Sequence, residues 1–264
     1  MFRHCSGFLA LALWAGAPIL LASETGVSLV PPSQPPVASQ APLPSLQKVM
    51  DCAIERAKLE EQNDRGFQQH YAYKRIKVSE EWNGRDSARK REEKISLHLP
   101  KAGAAIPVTI KVPASRSSSG SGQSLSKKDF AINKELLDRF QFSGLRRDFL
   151  DGRPTLVLDF KPAAKTFPIH SFTDRFLNKA TGQLWVDEEE FVLVKTDIHL
   201  TEAVPILGGL AGSVNALTYR FDRERTPDGF WFTKQVMWHL EGREFLVHKN
   251  MEHREEKFEV RRVH

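Results

Sequence analysis

The residues able to do chemistry in this chain are scattered, and their spacing argues against catalysis. His170, Ser171 and Asp174 supply the types of a nucleophilic triad. Three partners within five residues of one loop can hardly converge on a single reacting atom, and no G-x-S-x-G turn presents a nucleophile. His239, His248 and His253 lack the H-x-x-x-H spacing that brings two imidazoles to one metal, so they read as surface residues of strands. Asp187-Glu188-Glu189-Glu190 has carboxylates but not the alternating oxygen ligands and glycine of a calcium loop, and a solvated turn is expected. Gly208-Gly209-Leu210-Ala211-Gly212 is neither G-x-G-x-x-G nor a loop followed by Lys-Ser/Thr, so no phosphate is cradled. The expectation is a protein that is not an enzyme and needs no metal or cofactor.

The elements around these residues begin with an address. Arg3, an apolar run over 8–22 and Leu20-Leu21-Ala22 before Ser23 suit a signal peptidase cutting near Ala22. The run is short for a membrane span, which needs ~20 residues, and it contains Pro18. Ser23 stands where a lipoprotein signal requires Cys. An exported, unlipidated chain follows. Cleavage removes Cys5 and leaves Cys52 alone on an expected helix, so no internal disulfide can form. Residues 23–44, with six prolines, read as an extended tether ahead of a single domain over 45–264. The formal charge of +5 would suit an anionic partner, but export removes nucleic acid. The charge-dense run 85–94 reads as a solvated hairpin tip, with attraction to lipid headgroups as the lesser role.

Periodicity supplies the rest. Ser45 caps a helix to about Gln62, with Leu46, Val49, Ala53 and Ala57 on one stripe. A strand over 71–82 turns at Asn83-Gly84 and returns to Leu99, and Ile106, Val108, Ile110 and Val112 alternate on the next. A low-complexity Ser/Gly loop, 115–126, leads to a second helix capped by Ser126, with Phe130, Leu137 and Phe140 as its stripe and Ser143-Gly144 as its end. Strands dominate thereafter. Leu156, Leu158 and Phe160 share a face. In 182–200, two apolar runs (184–186 and 191–200) flank the acidic turn, and Val192, Val194, Thr196, Ile198 and Leu200 point one way. Leu217, Tyr219 and Phe221 align on 214–225. Turns at Asp228-Gly229 and Glu241-Gly242 bracket a strand carrying Phe232, Val236, Trp238 and Leu240, and a last strand starts at Phe245. Two early helices and roughly nine strands joined by tight turns make an α+β chain on a strongly curved antiparallel sheet.

The pattern G-x-L-W-V-D at 182–187, followed by the acidic turn and a long alternating strand, resembles the outer-membrane lipoprotein-sorting family of LolA/LolB-like proteins. The resemblance implies a half-open barrel with helices covering its concave face, and a periplasmic carrier for lipoprotein acyl chains or other hydrophobic cargo. The alternative it allows is an envelope-stress or lipid-sensing regulatory domain of the same fold. Leu156, Leu158, Phe160, Leu184, Val186, Val192, Val194, Ile198, Leu217, Tyr219, Phe221, Phe232, Val236 and Trp238 would then line the cavity. The same side chains would equally fill an ordinary core. In 203–212, Ile206, Leu207 and Leu210 lie among glycines and read as a mouth loop: either a flap meeting cargo or membrane, or a plug folded inward. Partners on this reading are the hydrophobic cargo and, transiently, the membrane or membrane-bound donor and acceptor proteins.

Overall fold

Among the described residues, eleven strands pair antiparallel into one sheet. The computed structural model describes residues 42–83, 90–100, 108–111, 132–164, 167–169, 172–206, 209–210 and 212–263, all within one compact unit, Ala38–His264. The expected signal segment, most of the expected tether, Gly84 and the run 85–89, Ile106, Val112, the expected 115–126 loop, Ser126, Phe130, His170, Ser171 and Leu207 lie outside the described residues. In order the elements are α1 (Leu46–Ala57), α2 (Glu60–His70), β1 (Tyr71–Asn83), β2 (Lys90–His98), β3 (Val108–Lys111), α3 (Lys134–Asp138), β4 (Phe140–Leu150), β5 (Arg153–Pro162), α4 (Phe172–Leu177), β6 (Ala180–Asp187), β7 (Leu193–Leu200), β8 (Val204–Ile206), β9 (Gly212–Arg225), β10 (Trp231–Glu244) and β11 (Val247–Arg262).

Ten strands run in the order β3-β2-β1-β11-β10-β9-β7-β6-β5-β4, and β8 pairs the start of β9. β3 and β4 stand at opposite edges, so the sheet does not close on itself. Register shifts place an extra residue in β4, β7, β9, β10 and, opposite Ala72–Lys74 of β1, in β11; these are bulges, the device that bends a long sheet. The chain thus adopts the expected α+β class, with an open antiparallel sheet and helices on one face.

Several boundaries differ from expectation for identifiable reasons. Ser45 does cap α1, its Oγ accepting the Lys48 N–H at 3.2 Å. The helix does not run to Gln62, because Lys58 and Leu59 tighten the last turn into bonds to Glu55 and Arg56, three residues back, and a separate helix, α2, begins at Glu60. Of the second expected helix, the described part is the short α3, capped by Asn133. Phe140 and Phe142 already belong to β4, where both rings meet Phe160. Gly242 is no turn residue: it sits inside the β9–β10 ladder, where a Cβ would lie 2.5 Å from the Ser213 carbonyl, and the chain reverses at Phe245-Leu246 instead. α4 and β8 had no strong periodic signal and were not expected.

Helices α1 and α2 are tied to one face. Val49 of α1 packs on Leu156, Leu158 and Val186, and Phe67 of α2 stacks on Phe232 at 4.8 Å and also meets Tyr71 and Tyr73. Asn63 fixes α2 by two bonds to the backbone of Trp231, accepting its N–H at 2.9 Å and donating to its carbonyl at 2.6 Å.

Candidate functional site: an apolar floor between helical covers

Residues directly opposite on adjacent strands share a face of the sheet. Followed strand to strand, the register gives one row, Phe160–Gly182–Ile198–Tyr219–Trp238, and a second, Leu158–Leu184–Thr196–Phe221–Val236. Leu217 opposite Leu240 begins a third. These rows lie on the helix-covered face, since Leu158 touches Val49 and Arg223, two residues on from Phe221, bonds Glu60 of α2 at 2.8 and 3.0 Å. At the other end of the strands, Phe176 of α4 packs with Val204, Val214, Leu200, Leu217 and Leu240. Between the two covers Leu184, Ile198, Tyr219, Phe221, Val236 and Trp238 are only half-buried. The floor they form spans roughly 14 Å along the strands and about 19 Å across five of them, from strand rise and spacing.

The structure therefore divides the residues singled out in the sequence. Leu184, Ile198, Leu217, Tyr219, Phe221, Val236 and Trp238 come together on the floor, and Phe160 stands at its β5 margin, buried against Phe140. Leu156, Leu158 and Val186 are closed over by α1, and Phe232 by α2. Val192 and Val194 leave the group. A bulge in β7, where Trp185 pairs Lys195 but Val186 pairs Leu193, shifts the strand, so that Leu193 joins Leu156 and Val186 while Val192 and Val194 pack with Trp231, Leu150 and Trp185. In the mouth loop Ile206 packs inward beside Val204, whereas Leu210 is 88% exposed.

Past β10 the same face turns polar. Trp238 stacks on His253 of β11 at 5.3 Å, and the His253 ring meets the Ser79 hydroxyl at 2.8 Å. Glu255, opposite Val236, pairs with Lys77 at 2.7 Å and Arg75 at 3.6 Å. Burial pushes its carboxyl upward, but the hydrogen bond to Lys77 and the charges of Lys77, Arg75 and Lys257 outweigh burial and hold it below the ordinary range. Burial, and then the charge of Glu255, raises the Tyr219 phenol. An apolar floor with a charged border is the result.

The acidic turn is not the solvated loop expected. Asp187 is fully buried, accepts the N–H groups of Glu189 and Glu190, and pairs with Arg153 at 2.7 Å. Glu188 binds Arg147 of β4, and Glu190 binds Arg225 of β9 and the indole N–H of Trp231. Four strands are stapled through one turn. The arginines that answer it are 34 to 41 residues distant in sequence, which a local reading cannot pair. Of the histidines, His248 is exposed, His239 meets Asn250 and His253 is half-buried on the floor's border rather than at the surface. Among the described residues, no three His, Cys, Asp or Glu side chains gather as a metal site requires. A polar hollow of about 590 Å³ lies on the opposite face, among Asp159, Lys161, Gln183, Asp197, His199 and Arg220. The apolar rows form an open floor, not that hollow.

No family model and no curated protein matches the chain. Among solved structures it is similar to a domain described as an outer-membrane lipoprotein-sorting protein from Vibrio parahaemolyticus, at 12% identity, TM-score 0.33, and coverage of 81% of this chain and 93% of the other. A DUF1329-family protein from Desulfovibrio piger gives 12% identity, TM-score 0.32 and coverage of 82% and 92%. A LolA-superfamily protein from Nitrosomonas europaea gives 12% identity, TM-score 0.30 and coverage of 81% and 94%.

Proposed function

We propose that this protein is a non-catalytic carrier or binding protein for acylated or otherwise hydrophobic cargo, working in the periplasm after export. The observation that carries the reading is the register itself. Apolar and aromatic side chains recur on one face across β5, β6, β7, β9 and β10, yet between α1/α2 and α4 they remain half-exposed. A packed core would hide them, and a solvated sheet face would be polar. A surface of large hydrophobes with few polar anchors holds an alkyl chain without demanding one shape. Each methylene removed from water contributes ~0.8 kcal/mol, enough to drive loading with no specific hydrogen bond. The charged border at Glu255, Lys77 and Arg75 suits the polar end of such a molecule. Binding of an environment-sensitive fatty probe tests this. Emission should shift to the blue on mixing, and Trp238→Ala or Phe221→Ala should weaken binding at a stability cost below the ~3–5 kcal/mol of a filled core position. Absence of binding together with a full core penalty in both variants would leave these residues as ordinary core.

A further inference from the structure

The β10–β11 hairpin ends in Phe245-Leu246-Val247, and these are 66%, 94% and 47% exposed. Phe245 holds a left-handed backbone conformation at φ 53, which a bulky aromatic residue rarely adopts. The turn thus presents two adjacent large apolar side chains to solvent at its apex, where a hairpin ordinarily carries Asn, Asp or Gly. Leu210 lies at the same end of the sheet, because Gly212, two residues on, is directly opposite Glu244. Four large apolar side chains, Phe245 and Leu246 of the turn, Val247 at the start of β11 and Leu210 between β8 and β9, are therefore exposed at one end of the sheet. Directly behind them, Arg243 stands opposite His248, and Lys249 follows opposite Gly242. Arg243 and His248 are exposed, while Lys249 also meets Glu81 at 3.0 Å and Glu244 at 3.5 Å.

We infer that this edge docks on an anionic phospholipid surface, with Phe245, Leu246, Val247 and Leu210 entering the acyl boundary and Arg243 and Lys249 at headgroup level. The geometry favours lipid over a protein groove. The apex is convex, with Leu246 almost wholly exposed, so it offers no concavity for a partner side chain. An apolar cap followed within one or two residues by cations matches the depth profile of a bilayer interface, where alkyl groups enter and long basic side chains reach back to phosphate. Glu244 tempers the positive charge but is already held by Lys249. The inference does not depend on what the apolar floor binds.

Sedimentation with vesicles tests it, using the compact unit 38–264 so that the N-terminal apolar run plays no part. Vesicles of phosphatidylethanolamine and phosphatidylglycerol should pull the protein down, and pure phosphatidylcholine much less. Phe245→Ser with Leu246→Ser should reduce the bound fraction about tenfold or more, as loss of two inserted side chains requires, with thermal unfolding unchanged because neither side chain is packed. Arg243→Glu should weaken binding to anionic vesicles alone. Failure of the wild-type protein to bind, or undiminished binding by the double variant, would overturn the inference. So would a wild-type dimer that the double variant dissolves in the absence of lipid, since the tip would then be a self-association surface.

Discussion

Val194 and Ile198, four residues apart on one alternating strand, face opposite sides of the sheet. The bulge in β7 separates them: Ile198 lies opposite Tyr219 on the floor, while Val194 is buried with Trp231 and Val192. Their substitutions should part accordingly. Val194→Ala should lower stability by about 1–2 kcal/mol, a typical cost for trimming a buried aliphatic, and leave fatty-probe affinity unchanged. Ile198→Ser should cost less stability and weaken the probe. Chemical denaturation and probe titration on the two variants decide the matter.

Gly182 stands second in the first apolar row, between Phe160 and Ile198, and its place there is steric. A Cβ would stand 1.9 Å from the carbonyl oxygen of Asp197 on β7, and its φ is +156. Gly182→Ala should therefore force β6 and β7 apart, costing about 2–3 kcal/mol, as overpacking does, and distort the floor. Reduced probe binding should accompany a lower denaturation midpoint. An alanine variant with wild-type stability would mean that the close approach is not maintained.

Asp187 and Arg153 hold the acidic turn. Replacing Asp187 by Ala leaves the Arg153 guanidinium without its closest carboxylate and frees the two N–H groups that Asp187 accepts. Breaking a pair in which one member is buried costs about 3 kcal/mol or more. Asp187→Ala should thus be among the most destabilising single changes in the chain, whereas Glu189→Ala, at the exposed outer side of the same turn, should lie within about 0.5 kcal/mol of wild type. Urea midpoints of the two variants provide the check.

His253 and His98 make stability depend on pH. Burial, then the charge of Lys77, lowers His253 below the ordinary 6.5, and burial, then Arg75 and Lys257, lowers His98. In the unfolded chain both take up protons as pH falls through 6.5, while the folded chain resists, so the unfolded state binds more protons. Stability should fall as pH drops below about 6.5 and level off once the folded imidazoles titrate. The carboxyl of Glu255, depressed from 4.5, adds a separate loss at more acid pH. Thermal melts between pH 7.5 and 5 should show this slope, reduced in His253→Gln. An unchanged slope in that variant would place the effect elsewhere.

Alternation and turn chemistry made most of the sheet legible. Asp228-Gly229 turns the chain between β9 and β10 as expected, with Gly229 at φ 96, and Leu217, Tyr219 and Phe221 share the face that their period-two spacing implies. What alternation cannot report is a bulge. The one in β7 reverses Val192 and Val194 without leaving any mark in hydrophobicity. Nor does local sequence reveal which apolar residues a helix will close over. Leu158 and Leu184 look alike in their strands and lie side by side across β5 and β6, yet Val49 covers the first and leaves the second half-exposed. Glu241-Gly242 misled because a glycine that admits a neighbouring backbone resembles one that makes a turn. The apolar apex at Phe245-Leu246 carries no turn residue at all.

A photoactivatable fatty acid, crosslinked to the protein and mapped to single residues by fragmentation mass spectrometry, addresses the central claim most directly. The account expects saturable labelling, displaced by unlabelled fatty acid, on the stretches holding Leu184, Ile198, Tyr219, Phe221 and Trp238. Labelling confined to the polar hollow around Asp197 and Arg220, or none that competes, would contradict it.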